Sequence, residues 1–392
     1  MRVLIHMGDP YPNEGPNAKR MRTFYEAFRD AGHEVCVLAP ESSGSDTRMD
    51  GVIGFKNVPL KSKSSLNRLM NQFSIGFNSV KAAKKFGKAD VVITTSPPAL
   101  ISIFGKKIAR KSKAKLVYDV RDIWPDVAWE MGSFSPKSLY SRVFEWNRNH
   151  MLSRSDLVTT VSHGKVEKLQ GYCSKTEVIY ITNGLDEKFL NNYDNDALIK
   201  KYKLDEVFTC VYIGNLGLAQ GLTQLLSVAK KAKERQMPVR FLLFGSGVEE
   251  QKLKDFAAEN KLDNVLFPGR LPNADMYTVL NHSGMSFVSL VNEKLTDSVP
   301  TKLYEALGVG CPVLLAAAGE SVEILNESKL GLAVKPNDEE ALWKAFVTLY
   351  EQRESFLQRK EYARSVILEK YSRQKAAKLM VEEITKRFEK KK

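Results

Sequence analysis

A cation and two carboxylates stand close together near residue 300. They are Asp297, Lys302 and Glu305, in the run DSVPTKLYEALGVGCPVL over residues 297–314. Pro300 can open a helix, because its missing N–H is not needed in a first turn. Gly308 and Gly310 can close it ahead of the apolar Val313, Leu314 and Leu315. The stretch therefore reads as loop, short helix and buried strand. In a parallel α/β sheet, a loop entering a helix N-terminus lies at the ligand-binding edge, where free backbone N–H groups and the helix dipole attract phosphate. Lys302 falls in the first turn, Asp297 in the loop before it, and Glu305 one turn beyond. A nucleotide diphosphate-sugar needs that mixture, with positive charge for the diphosphate and acceptors for hydroxyls. The same pattern fits a helix whose charges face solvent, so the surrounding elements must decide.

Those elements alternate regularly. Residues 3–5 read as a buried strand, followed by a loop containing Gly15, a helix from about 17 to 31 and a strand at 34–38. Gly15 lets the backbone approach a ligand closely and is the candidate to face a donor diphosphate across a cleft; a plain turn is the alternative. Arg20 and Arg22, next on the helix, read equally well as solvated. Strands follow at 89–94 and 115–119, the second leading into Arg121-Asp122-Ile123-Trp124-Pro125-Asp126. Charges at the carboxyl end of a parallel strand suit function, against the competing view that Arg121 pairs structurally with Asp122 or Asp126. Strands at 157–161 and 177–181 complete a first domain, and the polar residues 191–196 form a candidate linker. In the second half, a strand at 208–213 runs into a Gly-rich turn with Asn215 and Gly217, a strand at 239–244 into Gly245, and one at 265–268 into Gly269-Arg270. A strand, a Gly-rich turn and a helix together cradle phosphate. Another strand is expected at 284–290, and beyond residue 334 the chain reads as charged helices. The whole is an α/β chain with two doubly wound, Rossmann-like domains facing a cleft. The expected bounds are 1–185, 186–370 and a terminal helix over 371–392.

Composition agrees with a two-domain globular protein: 392 residues, 43% hydrophobic and 27% charged. The four cysteines stand singly in or beside apolar runs, as reduced core residues of a cytoplasmic protein do. The five histidines form no metal-spaced cluster, and Asp194-Asn195-Asp196, although it matches a D-x-D pattern, reads as a helix N-cap. No metal or other cofactor is expected. No signal peptide and no apolar run of membrane-spanning length is evident. The net charge of +13 is concentrated, since residues 51–117 hold fourteen Lys or Arg and a single acid, Asp90. Such a block can face nucleic acid, anionic lipid or a phosphorylated substrate. It lacks aromatic residues interleaved with basic ones in the manner of nucleic-acid binders, so nucleic acid is the less favoured partner. Leu66, Leu69, Met70, Phe73, Phe77 and Val80 share one helical stripe among these cations. The stripe faces either the domain core or an anionic membrane surface.

The residues from Asp297 to Glu305, continued by Ala306-Leu307-Gly308 and Gly310-Cys311-Pro312-Val313, resemble the E-x7-E pattern of family-4 glycosyltransferases with the GT-B fold, with Asp in place of the first Glu. The segments PNEGPNAKR, GHEV and RD-W-P resemble the branch that builds bacterial surface polysaccharides such as O-antigen and capsule, including amino- and deoxysugar transferases. The resemblance implies a retaining transferase that moves a sugar, N-acetylated amino or deoxy, from a nucleotide donor, UDP-linked, to a lipid-linked or growing glycan. The first domain would bind this acceptor, and the terminal helix would cross back to that domain. Asp297 would hold the sugar hydroxyls, Glu305 the ribose and Lys302 the diphosphate, with Leu303 beside it in the donor-binding set. Asn215 and Gln220 hold places where relatives often carry Arg and Lys, so Arg270 would add positive charge. At the loop where many relatives carry a His near the reacting carbon, this chain offers Asp119, Arg121 and Asp122. The enzyme would be cytoplasmic and peripheral at the inner membrane face. A non-hydrolysing sugar-nucleotide epimerase shares the architecture and is the alternative enzyme.

Overall fold

A computed structural model of the chain describes residues 1–11, 15–41, 50–58, 65–191 and 194–389. By internal contacts the chain divides into Met1–Asn183 with Arg373–Lys392, and Gly184–Ser372. The expected breaks at 185/186 and 370/371 lie beside these. Of the expected linker, residues 192 and 193 lie outside the described residues, as do residues 12–14 of the loop before Gly15.

The first unit is built from β1 (Arg2–His6), α1 (Pro16–Asp30), β2 (Glu34–Pro40), β3 (Val52–Phe55), α2 (Ser65–Ala82), β4 (Val91–Ser96), α3 (Ser102–Ser112), β5 (Lys115–Val120), α4 (Asp126–Glu130), α5 (Leu139–Leu152), β6 (Leu157–Thr160), α6 (His163–Tyr172) and β7 (Val178–Tyr180). Its sheet runs β3-β2-β1-β4-β5-β6-β7 with every pairing parallel. The near-continuous apolar strands, such as VVITTS in β4, follow from burial on both faces. One face packs Val3, Ile5 and Val37 against Met21, Phe24 and Phe28 of α1. The other packs Leu4, Leu38 and Val92 against Ile75 and Val80 of α2, Phe104 of α3 and Met151 of α5.

The second unit holds α7 (Asp196–Tyr202), β8 (Phe208–Ile213), α8 (Thr223–Glu234), β9 (Val239–Phe244), α9 (Glu250–Glu259), β10 (Val265–Gly269), α10 (Asn273–Asn281), β11 (Met285–Ser289), α11 (Thr301–Val309), β12 (Val313–Ala316), α12 (Glu320–Ser328), β13 (Gly331–Val334), α13 (Glu339–Glu351), α14 (Arg353–Leu357) and α15 (Lys360–Lys370). Its parallel sheet runs β10-β9-β8-β11-β12-β13. The last helix, α16 (Arg373–Phe388), returns to the first unit. There Ala376, Ala377, Met380 and Ile384 join the core on the α1 side. In both sheets the strand order reverses once, between β1 and β4 and between β8 and β11. Crevices for ligands form at the carboxyl ends of strands beside such points.

Three expectations resolve locally. Asn195 caps α7, accepting from the Ala197 N–H, so the Asp194–Asp196 triplet acts as a helix start. The apolar stripe of α2 divides: Val80 lies in the core, while Met70, Phe73 and Phe77 face water. The Leu66 side chain lies outside the described residues. No helix among the described residues is long and apolar enough to cross a membrane.

Candidate active site

At the switch point of the second unit, three loops are tied together by main-chain hydrogen bonds. Gly214 N–H donates to Phe244 O (2.9 Å), Leu216 N–H to Ser246 O (3.0 Å) and Gly245 N–H to Gly269 O (2.8 Å). Gly245 adopts φ +143°, and a Cβ there would sit 1.7 Å from Gly214 O, so only glycine allows the loops after β8 and β9 to touch. Arg270, exposed at the end of the β10 loop, donates from Nε to Ser246 Oγ (2.8 Å). This cradle collects Asn215, Gly217, Gly245 and Arg270 from three separate loops.

Lys302 enters the same place from α11. Its Nζ donates to Tyr212 Oη (2.6 Å) and lies 4.0 Å from the centroid of that ring, while Tyr212 Oη donates to Asn215 O (2.6 Å). A Cβ on Gly214 would meet Lys302 Nζ at 2.9 Å, so the glycine makes room for the ammonium. Lys302 keeps part of its surface accessible, yet burial of its ammonium pushes the pKa down to about 7, with Glu305 opposing the drop. Burial likewise pushes the Tyr212 phenol up. The start of α11 has no side-chain cap, so the N–H groups of Thr301 and Lys302 remain suited to an anion. Leu303 departs from expectation: its side chain is fully buried and its N–H is donated to Pro300 O, which makes it a core residue.

Asp297 is buried, with Ser298 Oγ 3.4 Å from its Oδ1. The turn after β12 supports its loop, because Glu320 N–H donates to Thr296 O (3.0 Å) and Ser321 Oγ to Ser298 O (2.8 Å). Gly319 at φ +67° lets the two loops meet. Sequence reasoning missed this turn and also Tyr212, which reads as one more apolar position of β8.

In the first unit, Asp9, Gly15, Pro16, Asn17, Pro97, Pro98 and Arg121 line a pocket of ≈ 300 Å³ at the carboxyl ends of β1, β4 and β5. Arg121 donates from Nη2 to Pro97 O (2.7 Å) and from Nε to Thr95 Oγ1 (3.4 Å). Burial lowers its pKa, with Asp122 and Asp9 opposing. Asn17 is buried and donates from Nδ2 to Asp9, while its Oδ1 has no hydrogen-bond partner. Asp122 neighbours Arg121 and stands outside the lining. Asp9 carries no local motif, Asn17 lies within the PNEGPNAKR segment without being singled out there, and only the fold brings the two beside Arg121.

Asp119 is a correction. It is fully buried and paired with Arg20 (Nη2 to Oδ1, 2.8 Å), and it accepts from Thr159 Oγ1 (2.8 Å) and Thr95 Oγ1 (3.2 Å). Burial alone would raise its pKa, but the Arg20 guanidinium outweighs this and holds it below the usual carboxylate range. Arg20 is therefore an internal brace, donating also to Thr182 O (2.8 Å), while Arg22 is exposed. Asp126 pairs with Arg148, so it is no partner for Arg121. Among the described residues, no cluster of His, Cys, Asp and Glu is built to hold a metal. All four cysteines are free.

Both halves of the chain are similar to known glycosyltransferases. Residues 194–366 match the family Glycosyl transferases group 1, and residues 18–189 match Glycosyltransferase Family 4. A probable glycosyltransferase of Pseudomonas aeruginosa, WbjE, is 24% identical over 292 residues, covering 71% of this chain and 72% of that protein. The O-antigen chain mannosyltransferase C of Escherichia coli is 26% identical over 147 residues, covering 37% of this chain and 38% of that protein. Among solved structures, a sucrose-phosphate synthase of Thermosynechococcus elongatus superposes with TM-score 0.82 at 16% identity, covering 98% of this chain and 99% of its own. HepE of Anabaena, solved with UDP and glucose, gives 0.75 at 17% identity, covering 98% and 100%. At these identities the structural likeness speaks for the fold, and the fold is GT-B. With its two halves matched by these two families, the chain belongs to the family-4 glycosyltransferases and is a transferase enzyme.

Proposed function

We propose that this enzyme is a retaining glycosyltransferase that takes a sugar from a UDP-linked donor and adds it to a lipid-linked or growing surface glycan. The observation that carries the donor side is the Lys302 ammonium, seated on Tyr212 beneath the glycine cradle at the start of α11. A cation and a helix N-terminus at that place stabilise the charge that develops on a departing diphosphate. Asp297 would hold the donor sugar's hydroxyls and Glu305 the ribose. The pocket of Asp9, Asn17 and Arg121 would take the acceptor hydroxyl, since a guanidinium beside two oxygen acceptors matches a group that both donates and accepts.

The relatives support the setting. One is named for the O-antigen chain, and another, from Escherichia coli K12, for colanic acid biosynthesis. HepE was solved with UDP-glucose, which supports UDP as the first base to test. On this reading the enzyme works at the cytoplasmic face of a membrane, with the exposed basic side of α2 toward anionic lipid.

A thermal-shift series over nucleoside diphosphates and their sugars tests the donor, because a ligand that binds the folded state raises Tm. UDP and UDP-linked N-acetylamino or deoxy sugars are expected to give the largest shifts, and UDP to be released only when a glycan acceptor is added. Release of an epimerised sugar without acceptor would overturn the reading.

A further inference from the structure

Two helices of the first unit each turn a row of apolar side chains toward water. On α5, Leu139, Val143 and Trp146 follow one another at helical spacing, opposite the buried Phe144, Asn147 and Met151. On α2 the row is Met70, Phe73 and Phe77. Exposure reaches 76% at Leu139, 56% at Trp146 and 54% at Phe77. Single exposed apolar residues are ordinary, whereas two rows on neighbouring helices form a patch.

The rows belong to one surface. Helix α3 packs against both α2 and α5. Leu69 of α2 and Tyr140 and Phe144 of α5 gather around Leu100 in one cluster. Phe73 and Phe77 both stand edge-on to Phe104 of α3, and the Lys107 ammonium lies 6.0 Å from the Phe77 ring.

The charge around the patch is predominantly positive, with half-buried Glu145 of α5 the acid that falls between Val143 and Trp146 in sequence. Lys81, Lys84 and Lys85 follow the α2 row, Lys107, Arg110 and Lys111 are exposed on α3, and Arg142 is exposed on α5. The one acid of the basic block, Asp90, is engaged elsewhere, accepting from the Arg2 N–H (2.7 Å). A second copy of the chain meeting this face about a two-fold axis would set lysine against lysine. An anionic bilayer supplies both requirements, with phosphate for the cations and an interface in which Trp and Phe are favoured.

We propose that α2, α3 and α5 together form a bilayer-seating face, with Leu139, Val143 and Trp146 entering anionic lipid beside Met70, Phe73 and Phe77. This deepens the membrane-acceptor reading above and rests on it. The face adjoins the acceptor pocket: Leu100 of the shared cluster follows Pro97 and Pro98 of the pocket lining. The ring of Trp124, close after Arg121, lies 5.5 Å from that of Phe144 at a tilted angle, and the Phe144 ring lies 4.6 Å from that of Tyr140. A lipid carrier held at this face would therefore present its sugar head near Arg121.

The test is co-sedimentation of the full chain with vesicles of equal parts phosphatidylglycerol and phosphatidylcholine, and with phosphatidylcholine alone. Three variants are compared with the parent: Leu139→Ser/Val143→Ser/Trp146→Ser, Met70→Ser/Phe73→Ser/Phe77→Ser, and Lys81→Glu/Lys84→Glu/Lys85→Glu. The altered side chains are exposed, and unchanged Tm confirms folding. Each variant is expected to lose about tenfold or more in partition to the anionic vesicles, given the apolar area and cations removed. Tryptophan emission is expected to shift blue with anionic vesicles in the parent and not in Trp146→Phe. Parent-like binding by the α5 variant overturns the inference and leaves the α2 membrane reading standing. Absence of parent binding to any vesicle overturns both. Equal binding to phosphatidylcholine alone overturns the charge argument, and a parent dimer that the α5 variant dissociates makes the face an interface between copies.

Discussion

Lys302 Nζ lies 2.6 Å from Tyr212 Oη, over the ring of a tyrosine that is itself buried, and this seat explains why its pKa falls to about 7. A diphosphate arriving there restores a counter-charge and raises that pKa again, so binding takes up a proton whenever the free enzyme has lost one. Affinity for UDP is therefore expected to be flat below about pH 7 and to fall by up to about tenfold per unit above it, until the pKa of the bound state is reached. Isothermal titration between pH 6 and 9 in buffers of different ionisation enthalpy measures both affinity and proton uptake. Lys302→Met should abolish the slope and weaken binding by about 1.5–3 kcal/mol, the range of a charge-assisted contact. A slope that survives in this variant would assign the titration to another group.

The same lowered pKa makes a statement about stability. Between about pH 7 and the ordinary lysine range, the unfolded chain binds a proton that folded Lys302 does not, so this residue lets stability rise with pH across that window. Lys302→Met should flatten that part of the curve in urea titrations, leaving the acid limb unchanged.

Arg20 and Asp119 predict a slope of the same sign in the acid range. Asp119 has a lowered pKa, so its contribution is present above the unfolded carboxylate range and is lost as pH falls through the folded value. Removing one partner strands the other charge in the core, and Asp119→Ala should cost roughly 3–5 kcal/mol. Activity measured well below the variant's Tm should remain within a few-fold of the parent, since Asp119 braces α1 against β5 and meets the Arg121 pocket at one remove, through the Thr95 hydroxyl. Loss of turnover with unchanged Tm would return Asp119 to the catalytic set.

The fold was largely legible because parallel strands buried on both faces leave long apolar runs, and β1, β8, β9 and β12 show this plainly. Edge strand β3, half-buried and only four residues long, carries too little of that pattern, and α5 follows an irregular aromatic stretch that hid it. The glycines and Lys302 at the second-unit cradle were readable, since turn chemistry and helix starts are local. Partnerships across the sequence were not: Arg20 and Asp119 are 99 positions apart, and nothing near Asp119 separates a buried brace from a reactive carboxylate. Leu303 was misplaced for a related reason, because adjacency to Lys302 on a helix puts it on a different face.

Gly245→Ala tests the cradle. The added methyl would meet Gly214 O at 1.7 Å, and φ +143° is strained for alanine, so the β8 and β9 loops must part. A penalty of roughly 1–3 kcal/mol is expected in stability. UDP affinity should fall with it, because parting the loops moves Asn215 and the wall over Lys302. Unchanged UDP affinity would place the diphosphate away from these loops.

The first-unit pocket makes a separable prediction. Arg121 spends Nη2 on Pro97 O and Nε on Thr95, which fixes its guanidinium plane beside Asp9 and Asn17. Lysine keeps the charge and loses this fork, so Arg121→Lys should misplace the acceptor without touching the donor cradle. Asp9→Asn removes the acceptor oxygen that orients both Asn17 and an incoming hydroxyl. Both variants are expected to lower kcat/KM for the acceptor by about tenfold or more, the worth of one charge-assisted hydrogen bond, while UDP affinity and Tm stay at parent values. An equal loss in UDP affinity would move the pocket to the donor, and a fall in Tm alone would make Asp9 and Arg121 parts of the framework.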